Sequence, residues 1–366
     1  MSSARIHLAS ASLYLLVACA SDGGDVPEAE PIEPNPAPPG TPWNTLAEWR
    51  LFEDVERQLP ASSVLPFEVN SVLYADDAEK QRFVWLPEGS KIGFRATERW
   101  EFPPGSILVK TFWFPNDARD LSAGRRLIET RLLVNEPEGW VGHTYVYSDA
   151  QRDAALLLTG RTVDVDWVDA TGSERRQKYE VPNAFDCQSC HGTKPNTLPL
   201  GARTRQLERE TDYGAGLENQ IDHMASLGWF DAAPPSPRER LVDPHSAGPI
   251  TERARAYLDA NCAHCHSDRG KAESTGLWLE YERTDPISGD PSDWGVCKFP
   301  TSAGQASGGL DYDIVPGDPD ASILVYRVAA TAAAVKMPPL LTRLADGHGV
   351  QVLREWILSM PPRSCD

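Results

Sequence analysis

The stretch Asn261-Cys262-Ala263-His264-Cys265-His266 contains the spacing Cys-x-x-Cys-His, and Cys187-Gln188-Ser189-Cys190-His191 repeats it earlier in the chain. On a helical turn, two cysteines at this spacing lie on one side and the histidine follows directly after them. This spacing is typical of covalent c-type haem attachment, in which two thiols add to the porphyrin vinyl groups and the histidine binds the iron. The composition of this chain would produce about 0.003 such matches by chance. We therefore expect two haem c groups, attached through Cys187, Cys190, Cys262 and Cys265, with His191 and His266 as proximal iron ligands.

Two other chemistries also use Cys-x-x-Cys pairs. Structural zinc sites combine two pairs that usually lie about 15–20 residues apart. The pairs in this chain lie 75 residues apart, and a histidine follows each of them directly. A thioredoxin-like redox site would have one motif on a βαβ unit, whereas these two motifs fall on helical segments. Both alternatives fit the sequence less well than haem attachment does.

Met337, in Lys336-Met337-Pro338-Pro339, is the candidate for the second axial ligand of the haem bound by His266. It lies in a proline-flanked loop ahead of a final amphipathic helix, so its thioether can reach the open face of the porphyrin. A thioether ligand favours ferrous iron and raises the reduction potential. The alternative is a methionine that fills a hydrophobic core, which is how we interpret Met360 on the apolar side of the last helix.

The second ligand of the first haem is less well defined. After His191, the nearby candidates in the chain are His223, Met224 and His245, and His143 in the β domain is a more remote one. Met224 shares a helix face with apolar residues, so a core role explains it equally well, and an exposed surface position explains His223. An open coordination position on this iron is the remaining alternative. We expect His264 to be exposed, because its neighbour His266 already binds the second iron.

Three cysteines lie outside the two motifs, and one of them, Cys19, belongs to the N-terminal segment described below. The other two, Cys297 and Cys365, form an even remainder, which in an oxidising compartment suggests one disulfide that would connect a loop to the C-terminal tail. Two unpaired thiols are the alternative, because the sequence does not give their separation.

The N-terminus has the features of an export signal. Arg5 provides a positive charge, and residues 8–18 form an apolar stretch that is too short to span a bilayer, which needs about 20 residues. The stretch ends in Leu16-Val17-Ala18-Cys19, which resembles the lipobox of bacterial lipoproteins. That resemblance implies cleavage after a signal peptide of residues 1–18, lipidation of Cys19 and, with Ala20 following, an anchor in the outer membrane. An ordinary secretory signal with a chance cysteine is the alternative.

Composition and charge exclude several classes of protein. The 366 residues include 35 Lys and Arg against 53 Asp and Glu, a net charge of −18. Such an acidic chain lacks the basic face that nucleic acids require and the basic patch that binds anionic membranes. The acidic surface suits docking to a basic redox partner, although plain solubility explains it equally well.

The chain divides into regions of different character. Residues 19–42 form a proline-rich tether, and residues 43–181 contain seven of the eleven tryptophans and several period-two patterns, at 107–114, 126–134, 144–147 and 163–169. Residues 182–247 carry the first haem motif. Residues 248–366 carry the second, and helices are predicted around Ile221, from about Thr251 and at the C-terminus. The predicted fold class is α+β, with an N-terminal, mostly antiparallel β domain followed by a mainly helical haem-binding region.

The region from about Ile250 to the C-terminus resembles a bacterial single-haem cytochrome c domain, with Val315-Pro316-Gly317-Asp318-Pro319, Met337-Pro338-Pro339 and a closing helix containing Trp356-Ile357. That resemblance implies His266 and Met337 as the axial pair and a crossing of the first and last helices beside the haem. More widely, the chain from about Leu51 resembles a family of uncharacterised bacterial di-haem c-type cytochromes, in stretches such as EKQRFVWLPEGSKI, ARDLSAGRRLIETRLL, GARTRQL and SGGLDYDIVPGDP. The family implies a periplasm-facing electron carrier and no particular substrate.

Three functions follow from these features. The first is a di-haem lipoprotein that transfers electrons between periplasmic redox proteins, held to the membrane by its lipid anchor only. The second is a di-haem peroxidase or oxidase with one open catalytic iron, which would also need an acid–base group above that iron. The third is a haem subunit of a larger membrane-associated redox complex, in which tryptophans of the β domain bind a partner. Tryptophan in a β-rich core is the alternative explanation for those residues.

Overall fold

A computed structural model of the chain describes residues 31–192 and 197–365. The predicted signal peptide, residues 1–18, the predicted lipidation site Cys19 and the first part of the predicted tether lie outside the described residues. Within residues 31–192 and 197–365, no helix is long and apolar enough to cross a membrane.

The protein is α+β, as the sequence predicted, and its N-terminal half is built from antiparallel strands. The largest sheet has the order β3-β4-β5-β6-β7-β8, so that each strand pairs with the next along the chain. Antiparallel neighbours need no crossover, so strands that follow one another in the chain can pair directly. Its strands are β3 (Leu65–Pro66), β4 (Glu79–Trp85), β5 (Ile107–Pro115), β6 (Arg125–Glu136), β7 (Gly139–Tyr147) and β8 (Ala154–Leu157).

Three hairpins and several short 3-10 turns accompany this sheet. The hairpins are β1 (Phe52–Asp54) with β2 (Leu59–Pro60), β9 (Arg161–Val168) with β10 (Glu174–Val181), and β11 (Glu210–Asp212) with β12 (Leu217–Asn219). The 3-10 turns are Ala47–Trp49, Leu121–Ala123, Glu273–Thr275 and Gly304–Ser307. The four period-two patterns of the sequence coincide with β5, β6, β7 and β9.

The helices follow the β region. They are α1 (Ala184–His191), α2 (Thr204–Leu207), α3 (Gln220–Ser226), α4 (Ile250–Asn261), α5 (Ile323–Val328) and α6 (Gly347–Ser359). The helices predicted from apolar spacing are confirmed as α3, α4 and α6. Gly228, with φ +74°, follows α3 where the sequence predicted its end.

The two faces of the large sheet have different roles. Strand register places Phe83, Val109, Leu132 and His143 in one cross-strand row. This row belongs to the face that carries the buried core around Trp49 and Tyr145. The neighbouring row, with the opposite side-chain direction, runs through Arg82, Lys110, Arg131 and Thr144. The second row faces the helical part of the chain.

The described chain from Ile32 onward forms one compact unit, and the predicted boundaries at residues 43 and 182 are crossed by packing. Ile32 and Ala37 pack against the core of the β region, and the Asn35 amide donates to the Trp49 carbonyl at 2.8 Å. The predicted tether therefore joins the β region from Ile32 rather than from Trp43, because apolar residues between its prolines bury against the sheet.

The β region and the helical region also share a hydrophobic core. Val84 and Trp100 of the former pack with Leu207 and Met224 of the latter. The Ser71 hydroxyl donates to the Ala256 carbonyl of α4 at 2.8 Å. The regions predicted as separate domains are thus continuous layers of one structure.

Candidate functional site

The first Cys-x-x-Cys-His motif occupies α1. A capping box begins this helix, because the Asn183 side chain accepts from the Asp186 amide and the Asp186 carboxylate accepts from the Asn183 amide. The helix lies against β7, where a Cβ added to Gly142 would be 3.9 Å from Cβ of Cys187. The glycine thus permits close approach of the helix to the sheet face that carries Lys110.

His191 ends α1 in an orientation suited to metal binding. Its Nδ1 lies 2.8 Å from the Leu198 carbonyl oxygen. A metal-binding histidine commonly donates its other ring N–H to such a carbonyl, which fixes the ring and leaves Nε2 for the metal. Burial lowers the pKa of His191 to about 4, against the effect of the Leu198 carbonyl. The neutral ring, which is the form that binds metals, is therefore the form present at neutral pH.

The second motif begins where α4 ends. The Cys262 amide still donates to the Leu258 carbonyl, and the His266 amide donates to the Cys262 carbonyl, so the motif forms one more turn. Asn261, just before it, accepts from the Tyr74 amide at 2.7 Å and so attaches this turn to the β region. Burial lowers the pKa of His266 to about 4, which again favours the neutral ring. Its Nδ1 is buried without a hydrogen bond of regular geometry, although the Leu277 carbonyl partly opposes the effect of burial on its pKa.

The two motifs lie against each other. The Cys265 Sγ lies 3.9 Å from the Ser189 carbonyl oxygen. The proximity of the two thiols lowers the pKa of Cys190 and raises the pKa of Cys265. The Lys271 ammonium donates to the Ser189 hydroxyl at 3.1 Å. Two segments separated by 75 residues of sequence thus form one site.

A cavity of about 340 Å³ opens beside the first motif, within the range of about 300–1,000 Å³ that is common for small-molecule and cofactor sites. Cys187, Cys190 and His191 line it, as does His264 of the second motif. Its further walls come from both regions of the chain and include Leu108, Lys110, Arg131, Leu133, Trp140 and Leu200. The cavity is therefore largely apolar, with cationic side chains on its sheet side.

His264 does not occupy the exposed position that we predicted. It is half-buried and lines the cavity together with Cys190. The reason is the contact between the two motifs, which covers a residue that would otherwise face solvent.

The other candidates for the first haem lie elsewhere. Met224 is buried in a core with Ile221, and His223 stacks on Tyr213 at 3.8 Å between ring centroids. Neither side chain lines the cavity of the first motif. His245 stacks on His348, with ring centroids 3.9 Å apart. The structure brings none of these three candidates to the cavity.

His143, the fourth candidate, is among the residues around the cavity. Its position opposite Leu132 places its side chain on the other face of the sheet, where its ring lies 6.1 Å from that of Trp49. The strand backbone, rather than the imidazole, accounts for its place beside the cavity.

Met337 lies near the second motif through a shared core. Met337 and Cys262 are both half-buried against the cluster that contains Leu258 and Trp356. The helices α4 and α6 cross within this cluster, and a Cβ added to Gly349 of α6 would overlap the Tyr257 ring of α4. Met360 packs against the same cluster, as its predicted core role requires.

The two remaining cysteines, Cys297 and Cys365, form a disulfide with an S–S distance of 2.06 Å. The backbone carbonyl of Cys365 also accepts from the Tyr312 hydroxyl at 3.1 Å. Both contacts hold the C-terminal tail to the loop region that follows the second motif.

No family model, no curated protein and no solved structure matches the chain. Among the side chains that the structure describes, no group of three or more His, Cys, Asp or Glu is placed to hold a metal ion. The chemistry of the site therefore has to be argued from its own residues.

Sequence reasoning missed the cationic side chains of the cavity. Lys110 is a charged residue within the largely apolar strand Ile107–Pro115, whereas Arg82 follows three other polar residues in β4. The detectable signal was this interruption of an apolar strand by a long cation on the face opposite the main core.

Proposed function

We propose that the protein is an exported di-haem c-type cytochrome that transfers electrons between redox partners. The observation that supports it most strongly is the contact between the two Cys-x-x-Cys-His motifs, in which the Cys265 Sγ lies 3.9 Å from the Ser189 carbonyl oxygen. Two cofactors attached at adjoining turns would lie close together, as electron transfer from one to the other requires.

The residues of the first site fit a haem. Cys187 and Cys190 offer two thiols beside a cavity, and His191 offers a neutral imidazole whose other nitrogen faces a carbonyl. The orphaned buried Nδ1 of His266 and the half-buried Met337 are the corresponding features of the second site. Covalently bound haem would supply reversible one-electron chemistry at both sites.

The residues of the chain would hold each cofactor and shield it from water. The thiols of each motif would attach the cofactor covalently, and the histidine after them would bind its iron. Apolar walls such as Leu108 and Leu133 exclude water from the first site, which changes the reduction potential by lowering the local dielectric. The acidic surface, from a net charge of −18, would favour fast and salt-sensitive docking to basic redox partners.

Haem content is the first test. The full chain is produced in a host that attaches haem c, and haem per chain is measured by pyridine haemochrome spectroscopy and intact mass. We expect two haems in the natural sequence and one in each of the variants Cys187→Ser/Cys190→Ser and Cys262→Ser/Cys265→Ser. Cys297→Ser/Cys365→Ser is the matched control and should retain both. A natural chain without covalent haem would overturn the proposal.

Carbon monoxide then separates the carrier from the enzyme. An unchanged reduced spectrum under carbon monoxide means that both irons have two firm protein ligands, as an electron carrier requires. A change in half of the haem means one open iron, and peroxide turnover by that protein would favour the di-haem peroxidase.

The proposed location rests on the sequence of the N-terminus. We propose lipidation at Cys19 and attachment to the periplasmic face of the outer membrane. The natural chain should fractionate with outer membranes, and a variant in which an ordinary cleavable secretory signal replaces residues 1–19 should appear in the soluble periplasmic fraction with its haem content unchanged. Equal fractionation of the two would contradict lipid anchoring.

A further inference from the structure

The cavity beside the first motif has a row of three cations on its sheet side. Register pairs Arg82 of β4 with Lys110 of β5, and Lys110 with Arg131 of β6. Side chains directly opposite one another on adjacent strands lie close together, and like charges in such pairs destabilise the sheet. A row of this kind therefore needs anions to balance it.

Two of the three cations have a carboxylate partner. Arg82 pairs with Glu68 at 3.2 Å, and the Nε of Arg131 donates to the buried Glu129 at 2.8 Å. Among the described residues, no carboxylate lies within ion-pair distance of Lys110, although Glu129 attracts it from further away. Desolvation, followed by repulsion from Arg82 and Arg131, lowers the pKa of Lys110 well below its ordinary value. Lys110 thus lines the cavity without a carboxylate of its own, and its ammonium lies 5.2 Å from the centroid of the Phe112 ring.

The distance between this row of cations and the first Cys-x-x-Cys-His motif suits the size of a haem attached at that motif. Gly142 of β7 faces Cys187, and Lys110 lies two strands further across the sheet, which corresponds to about 10 Å. A haem attached at Cys187 and Cys190 carries its vinyl-derived groups toward those cysteines and its two propionates on the pyrrole rings away from them. Its carboxylates would then lie on the Lys110 side of the cavity.

We propose that Lys110, flanked by Arg82 and Arg131, binds the propionate carboxylates of the haem attached at Cys187 and Cys190. This inference rests on the proposed function and assigns a role to the β region, which is to form the anion-binding wall of the first haem site. The partly desolvated ammonium gains the anion that it lacks, and the carboxylates gain a cation in a site of low dielectric.

The test compares reduction potentials of the haem-loaded full chain by spectroelectrochemical titration. In Lys110→Met, the propionates lose their cation, so their negative charge stabilises ferric iron and the midpoint potential of the first haem falls. The midpoint of the second haem stays the same, and the variant Cys187→Ser/Cys190→Ser identifies which midpoint is which. Lys178→Met is the matched control, because Lys178 is an exposed lysine on β10, and it should shift neither midpoint.

A second measurement requires no loss of charge and covers the case in which Lys110→Met fails to fold. In Lys110→Arg, a guanidinium replaces the ammonium, so the resonance Raman propionate-bending band of one haem should shift relative to the natural protein. Unchanged midpoints in Lys110→Met, or an unchanged band in Lys110→Arg, would overturn the inference and leave the proposed function intact. Absence of covalent haem in the natural chain would instead overturn the proposed function itself.

Discussion

The Sγ of Cys265 lies 3.9 Å from the carbonyl oxygen of Ser189, although 76 residues separate the two in the sequence. Each belongs to a short helical turn, and the turns are held by different regions: α1 lies against β7 at Gly142, whereas α4 is attached to the β region through Asn261. The β region therefore supports both turns, the first through β7 and the second through the segment between β3 and β4.

Met337→Ala is expected to open the second iron. Without the thioether, the reduced protein should bind carbon monoxide at one haem, and the midpoint potential of that haem should fall, because a thioether ligand raises it. Met360→Ala is the control, since Met360 packs against the same core as Met337. A carbon monoxide spectrum that Met337→Ala leaves identical to the natural protein would contradict ligation by Met337.

His223→Ala and His245→Ala should leave both haem spectra unchanged. His223 pairs with Glu218 at 2.9 Å, and His245 stacks on His348, so neither ring is directed to the cavity of the first motif. The measurement is the visible and near-infrared spectrum of the oxidised protein. Conversion of one haem to a high-spin spectrum in either variant would show that the missing ring was an iron ligand.

Gly349→Ala should destabilise the crossing of α4 and α6. The added Cβ overlaps the Tyr257 ring, and overpacking of this kind costs about 1–3 kcal/mol in the free energy of unfolding. Gly347→Ala on the same helix is the control, because a Cβ there has no neighbour within 4 Å. Denaturant unfolding measures both variants. Equal free energies of unfolding for the two variants would contradict a steric overlap between the added Cβ at position 349 and the Tyr257 ring.

Lys80 should make stability depend on alkaline pH. Burial lowers its pKa to about 8 from an ordinary value of 10.5, so between these values the unfolded chain binds more protons than the folded chain. Stability contributed by this group therefore rises as pH increases from 8 toward 10.

The measurement for Lys80 is the difference in thermal midpoint between the natural protein and Lys80→Met at several pH values. As the pH rises from 8 toward 10, the thermal midpoint of the natural protein should increase relative to that of Lys80→Met. The same difference for Lys178→Met should stay constant. A constant difference for Lys80→Met as well would contradict a lowered pKa for Lys80.

Local patterns predicted much of the secondary structure. Apolar spacing located α3, α4 and α6, and period-two alternation located β5, β6, β7 and β9, because both patterns reflect which side of a short element is buried. The tether was predicted too long, because isolated apolar residues such as Ile32 and Ala37 carry no periodicity that would indicate their burial.

The residues of the two motifs could be identified from the sequence, but the residues that surround them in the fold could not. The motif spacing identified the thiols and the imidazoles. The sequence could not exclude His223, Met224 or His245 as ligands, because their distance from His191 depends on how the helices pack against the sheet. The row of Arg82, Lys110 and Arg131 was also hidden, since strand register brings together residues from three separate strands.

The sequence by itself determined the two Cys-x-x-Cys-His motifs, the α+β class and the positions of the principal helices, because each depends on residues within a few positions of one another. Only the tertiary structure decided that the motifs meet, that His143 points to the far face of the sheet, and that Lys110 lines the cavity without a carboxylate partner. These relationships depend on long-range packing and register, in which a shift of one residue would reverse the direction of every side chain in a strand.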